Sequence, residues 1–184
     1  MIPMNLISTR LALMTAFAFW SVPMFFSVHA ENDNSLDMMS VALKDPAFVK
    51  SKLGFVTPVT KNNKTVGLKF EFAESDDYPS ISIPTPPKGW NLTPYIAIVA
   101  EIENVGNDVI LPALAIENMG VPGNNQNGIS LVPGQTGFIR LEIGFSWGKE
   151  DKKLDLKTID VVHLFVGPGK KGAFIVKSIA AVKH

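Results

Sequence analysis

The stretch that most constrains this chain is Trp90 to Glu117. From Tyr95 to Asn104 the side chains alternate: Ile96, Ile98, Ala100 and Ile102 fall on one side, and Tyr95, Ala97, Val99, Glu101 and Glu103 on the other. A period of two belongs to a strand with one face against a core. The polar run Asn104-Val105-Gly106-Asn107-Asp108 offers turn chemistry, because Gly and Asn tolerate positive φ and Asn and Asp side chains bond nearby backbone. A second apolar run, Val109 to Ile116, follows. Two strands around a short polar turn predict an antiparallel hairpin.

The rest of the chain repeats the pattern. Leu53 to Val59 is a first strand candidate, and Lys61-Asn62-Asn63-Lys64 a turn. Thr65 to Phe72 places Val66, Leu68, Phe70 and Phe72 inward; Ser80 to Ile83 does the same with Ile81 and Ile83. Pro84, Pro86 and Pro87 cannot donate to a ladder and mark a surface crossing or an edge. Gly120 to Gly128 reads as a long flexible loop, and Ile129 to Val132 as a brief strand before the turn Pro133 to Thr136. Gly137 to Gly144 turns Ile139, Leu141 and Ile143 inward and Phe138, Arg140 and Glu142 outward. Leu156 to Val166 and Ala173 to Val182 are the last strands. Helix is expected only over Leu36 to Leu43, capped by Ser35. The expected fold is all-β: a β-sandwich of two antiparallel sheets.

Three regions are expected. Residues 1–30 have one basic residue, Arg10, an apolar core LALMTAFAFWSVPMFF and a small-residue end SVHA, the three-part pattern of a signal peptide cleaved after Ala30. That implies a secreted or periplasmic protein with no membrane attachment after cleavage; an uncleaved anchor is the alternative. Residues 31–50 read as a polar N-terminal arm, and 51–184 as the β-sandwich domain.

Composition excludes several functions. The 17 basic and 17 acidic residues balance, which removes an electrostatic case for nucleic acid. Without cysteine there is no disulfide framework and no catalytic thiol. The histidines are His29, His163 and His184, too few and too scattered for a Ser-His arrangement. Glycoside hydrolysis needs two facing carboxylates; Glu101, Glu103 and Glu142 lie on outward strand faces, where a pair is conceivable but solvated charge is the ordinary explanation, so no enzyme is expected and a small jelly-roll glycosidase or lyase stays as a third reading.

Three segments, GWNLTPYIAIVAEIENVGND, GISLVPGQTGFIRLEI and LDLKTIDVVHLFVGPGKKGAFIVKSI, resemble in order and spacing the jelly-roll, galactose-binding-like modules at the N-terminal side of β-agarases and related glycoside hydrolases. The matching elements are Trp90-Asn91-Leu92-Thr93, Asn104-Val105-Gly106, Pro133 to Thr136, and Leu154-Asp155-Leu156 with Ile159. The resemblance spans Leu53 to Val182 and implies a jelly-roll fold and a non-catalytic carbohydrate-binding role, with a polysaccharide or oligosaccharide as partner, agar-type galactan among the candidates. No catalytic domain is expected to follow, and the module is expected to act alone or beside a separate glycoside hydrolase or envelope protein. A structural or interaction β-sandwich without a glycan ligand is the alternative. Such modules often hold a structural calcium on acids of the first and last strands. Here Leu53 to Val56 carries no acid and Lys177-Ser178 replace the Asp-Asn pair, so no cofactor or metal is expected, although Asp76, Asp77 or backbone carbonyls could form another site.

A sugar site needs exposed aromatics for the apolar CH faces and planar polar groups for the hydroxyls. Trp147 stands in the polar loop SWGKED, where no core periodicity explains it, and Tyr78 follows an acidic loop. On the strand ending at Val166 the outward set is Val161, His163 and Phe165 rather than charges; Phe138 and Arg140 are expected beside it. The alternatives are a covered face for that set, an edge anchor for Tyr78 and a lid over the sandwich end for Trp147. The carbohydrate-binding candidates are therefore Trp147, Tyr78, Phe138, Arg140, His163 and Phe165, while Trp90 is assigned to the core.

Overall fold

Two antiparallel sheets face each other across a single apolar layer in the computed structural model, which describes residues 34–119, 124–143 and 154–183. The first sheet has the order β3 (Gly54–Lys61), β4 (Lys64–Phe72), β11 (Gly172–Val182), β6 (Ala97–Asn104), β9 (Thr136–Glu142), and β1 (Ser35–Asp37) pairs with the far end of β11. The second has the order β2 (Lys50–Lys52), β5 (Ser80–Ser82), β10 (Val161–Val166), β7 (Pro112–Glu117), β8 (Asn124–Gly128). No helix among the described residues is long and apolar enough to cross a membrane. Residues 1–30, read above as a signal peptide, lie outside the described residues.

Alternation decides which side chains fill the layer. On β6, Ile98, Ala100 and Ile102 are fully buried; on β9, Ile139 and Leu141; on β10, Val162, Leu164 and Val166. Phe70 and Phe174 sit opposite each other on β4 and β11, with ring centroids 5.5 Å apart, and Phe72 stacks on Phe70 at 5.5 Å. Gly54 lies flat on that cluster: a Cβ there would stand 2.4 Å from the Phe70 ring, so only glycine lets the edge strand close over the aromatic centre. Two bulges reset the alternation. At β11 the register slips between Val176 and Ser178, so the inward set changes from Phe174 and Val176 to Ile179 and Ala181, and Lys177 is left on the outer face. At β3–β4 the slip falls at Val66, which is why this residue, expected inside, is 43% exposed. The turn between those strands uses Asn62 and Asn63 at φ 51° and 59°, the left-handed pair that a two-residue hairpin requires.

Three expectations about elements are corrected. β6 and β7 do not form a hairpin: β6 pairs with β11 and β9, β7 with β10 and β8, so residues 105–111 carry the chain from one sheet to the other. Asn104 anchors that crossing. Fully buried, its Nδ2 donates to the carbonyls of Asp108 (2.8 Å) and Leu131 (2.9 Å), and its Oδ1 accepts from the Gly106 amide (2.9 Å). The segment 120–128 is not all loop, since β8 pairs along β7. The strand expected from Leu156 begins only at Val161; Leu156 and Ile159 instead bond the backbone of Leu92 and Trp90. The Trp90 and Leu154 motifs are thus two halves of one contact, with Trp90 buried as expected.

The lead-in also differs from the expected helix. Ser35 is in β1, and the helix α1 runs only Ser40–Lys44, with Met39 at its N-cap and no side-chain cap. The reason is hydrophobic: Met38, Met39 and Ala42 are fully buried in the core cluster, and β1 holds them there by pairing with β11. From Ser35 the segment read as an arm contributes strands and core to the sandwich itself.

Candidate functional site

Strand register places a set of side chains side by side on the outer face of the second sheet. One rung across it aligns Lys50, Ser82, His163, Ala115 and Gln126; the next aligns Lys52, Ser80, Phe165, Ala113 and Gly128. Beside His163 and Phe165 the floor on β7 is made of the small side chains Ala115 and Ala113, with Gln126 and Gly128 following on β8. The result is a furrow of about 480 Å³ lined by Lys52, Asp77, Tyr78, Ser80, Gln126, His163 and Phe165.

The rings are locked edge to face. Tyr78 meets Phe165 with centroids 5.9 Å apart and planes at 70°, and Phe165 meets His163 at 5.5 Å and 90°. Tyr78 is half exposed, so one ring stays open at the mouth. Its backbone amide donates to Asp77 Oδ1 (2.7 Å), and Asp77 Oδ2 pairs with Lys52 Nζ at 2.5 Å. The Lys52 ammonium and the Tyr78 amide together hold the Asp77 carboxyl below its usual range.

Burial of the imidazole pushes the pKa of His163 below its ordinary 6.5, and the Glu117 carboxylate, 3.6 Å from Nε2, pulls the other way without cancelling it. Folded His163 therefore binds its proton less readily than the unfolded chain. Stability is full above pH 6.5, falls as the pH drops through 6.5, and stops falling below the depressed folded value. The expected result is a melting temperature that declines on acidification through this window, with the decline removed in His163→Gln. Asp77 and Asp155, both held below 3.8, add their own loss only in stronger acid.

Three of the six residues expected to bind ligand, Tyr78, His163 and Phe165, meet in the furrow. Phe138 and Arg140 do not. They lie on β9, at the edge of the other sheet, where Phe138 is 57% exposed and Arg140 pairs with Glu142 at 2.6 Å. Outward parity on two strands does not make them neighbours when the strands belong to different sheets. Trp147 lies outside the described residues. The sequence reading missed Lys52, Asp77, Ser80 and Gln126 as site residues. Gln126 had a signal in the amide run 124–127: its neighbours Asn125 and Asn127 donate to the carbonyls of Glu142 (2.5 Å) and Arg140 (2.7 Å), tying the sheet edges together, and Gln126 is left to the furrow.

The other outer face is of a different kind. Lys177 lies 2.8 Å from Glu103 and 3.7 Å from Glu101, and Lys69 pairs with Glu71 at 2.9 Å. A depression of about 420 Å³ at that sheet's end is lined by charged and backbone groups, and its one ring, Phe72, is 5% exposed. Of these two depressions, the first presents aromatic surface beside hydrogen-bonding groups. Among the described residues no group of three or more His, Cys, Asp or Glu could hold a metal ion.

No protein-family model matches this sequence, and no curated protein matches it. Solved structures do. The chain is similar to a family 11 carbohydrate-binding module from Clostridium thermocellum in complex with a β-1,3-1,4-mixed-linked tetrasaccharide, at 19% identity and a TM-score of 0.55, over 82% of this chain and 97% of that one. It is also similar to an exo-β-agarase at 15% identity and a TM-score of 0.62, over 82% of this chain and 25% of the agarase. A further agarase, AgWH50C, matches at 12% identity and a TM-score of 0.61, over 83% of this chain and 25% of that one. The likeness at these identities is one of fold, and it agrees with the resemblance read from the spacing of the Trp90, Asn104 and Pro133 elements. The chain has the fold of the jelly-roll carbohydrate-binding-like modules.

Proposed function

We propose that this protein is a non-catalytic carbohydrate-binding module that takes a polysaccharide chain into the furrow on the outer face of the second sheet. The observation that carries this reading is the gathering of Tyr78, Phe165 and His163 with Lys52, Asp77, Ser80 and Gln126 around one open depression. Sugar rings offer apolar CH faces and a fringe of hydroxyls. Tyr78 supplies the open aromatic surface, and Ser80, Gln126 and the Lys52–Asp77 pair supply donors and acceptors. Two carboxylates acting as acid and base would mark a hydrolase. Here Asp77 is bound to Lys52 and Glu117 lies beside His163, which favours binding over catalysis. The neighbours point to β-glucan and agar-type galactan as the first polymers to try: one is a module in complex with a mixed-linked tetrasaccharide, and the others are agarases.

Affinity electrophoresis against a polysaccharide panel tests the role. Retardation by at least one polymer is expected, with no release of reducing ends. No retardation by any polymer, together with capture of a stable protein partner, would replace the proposal with the interaction reading. Export is part of the same proposal, resting on residues 1–30: the mature protein recovered outside the cytoplasm should begin at Glu31, and a chain retaining its first residues would contradict this.

A further inference from the structure

We infer that the furrow selects uncharged glycans and turns away sulfated or uronate polymers. This inference rests on the binding role proposed above and names the class of ligand. The argument is one of charge already spent. An anionic polymer needs a free cation at the site, preferably one able to pair with sulfate or carboxylate. Lys52 is the cation lining the furrow, and its ammonium is held by Asp77 at 2.5 Å. His163, the other basic group in the lining, has the Glu117 carboxylate 3.6 Å from its Nε2, on the adjoining strand.

The surrounding charges do not reverse the balance. Outside the lining, Lys50 shares a rung with His163, Asp76 adjoins Asp77, and Lys170 follows Gly169, whose amide donates to the Ser75 carbonyl beside that loop. The ammonium groups Lys50, Lys52 and Lys170 are thus matched in number by the carboxylates Asp76, Asp77 and Glu117. An anion brought among them gains no net attraction and loses hydration. Uncharged hydroxyls suit such a site, because the paired carboxylate still has lone pairs to accept with and the paired ammonium still has protons to donate. What remains in the lining, Ser80, Gln126 and the rings, is neutral.

The same pairing gives a direct test. Asp77→Asn keeps an oxygen to accept from the Tyr78 amide but removes the charge that occupies Lys52. The probes are agarose and mixed-linked β-glucan as neutral polymers, and a sulfated galactan and polygalacturonate as anionic ones, at pH 7.5 in low and in high salt. The natural chain is expected to be retarded by a neutral polymer, with little change on adding salt, and not by the anionic ones. Asp77→Asn is expected to gain several-fold in retardation by the sulfated galactan, a gain that high salt removes. Preference of the natural chain for an anionic polymer would overturn the selectivity and leave the binding role standing. An Asp77→Asn variant with an unchanged melting temperature and no gain would also overturn it. No retardation by any polymer would remove the binding role and this inference with it.

Discussion

Replacement of Asn104 by alanine is expected to lower folding stability by about 3–5 kcal/mol and the melting temperature by roughly 10 °C. The side chain is fully buried and makes three hydrogen bonds, to Asp108, Leu131 and Gly106. Each such bond contributes about 1 kcal/mol net, and a partner left buried without one costs about 1–3 kcal/mol more. The backbone of Asn104 is committed too: its amide donates to the Gln135 carbonyl (2.9 Å) and its carbonyl accepts from Gly134 (2.8 Å). That ties the crossing between sheets to the Pro133–Gly134 turn, where Gly134 takes φ 76°. Asn104→Asp keeps the acceptor and replaces both donors with a carboxylate facing two carbonyls, so it should destabilise at least as much. Urea unfolding of both variants measures the effect; a loss under 1 kcal/mol in Asn104→Ala would show that the turn holds without this side chain.

The second large effect is on binding. Tyr78→Ala and Phe165→Ala are each expected to weaken glycan affinity at least tenfold, about 1.4 kcal/mol or more. Tyr78 loses the open ring; Phe165 loses the edge against which both Tyr78 and His163 are set. The two should be strongly non-additive, because removing Phe165 frees the Tyr78 ring to turn away. Phe138→Ala is the control. Its ring is equally exposed but sits on the other sheet, so affinity should not change. Calorimetric titration of the natural chain, the three single variants and the Tyr78→Ala/Phe165→Ala double variant with the same oligosaccharide decides the matter. Equal losses in all three variants would indicate nonspecific contact rather than a built furrow.

The sandwich was legible because alternation is a local property. Ile98 to Ile102, Ile139 to Leu141 and Val162 to Val166 announce which face of each strand is buried without reference to any other strand. Strand partnership is not local. Seven residues between β6 and β7 suit a hairpin and a crossing equally well, and the choice rests on Asn104 reaching Leu131, 27 residues away. The bulges at Val66 and Lys177 were hidden for the same reason: a one-residue slip appears only against the paired strand. The site divides along the same line. His163 and Phe165 could be found because apolar outward residues on β10 contradict a solvated face, and Tyr78 because it is a ring in a polar loop. Lys52, Ser80 and Gln126 join them only through the order β2, β5, β10, β7, β8, which also leaves Phe138 and Arg140 on a strand of the other sheet.

The central claim is that ligand contacts the outer face of β5, β10 and β8. Amide chemical-shift mapping during titration with a glycan oligosaccharide tests it most directly. Perturbations are expected to cluster at Lys52, Asp77 to Ser80, Gln126, His163 and Phe165, with the Lys69, Glu101, Phe138 and Lys177 face silent. Shifts confined to that second face, with the furrow unmoved, would contradict the account.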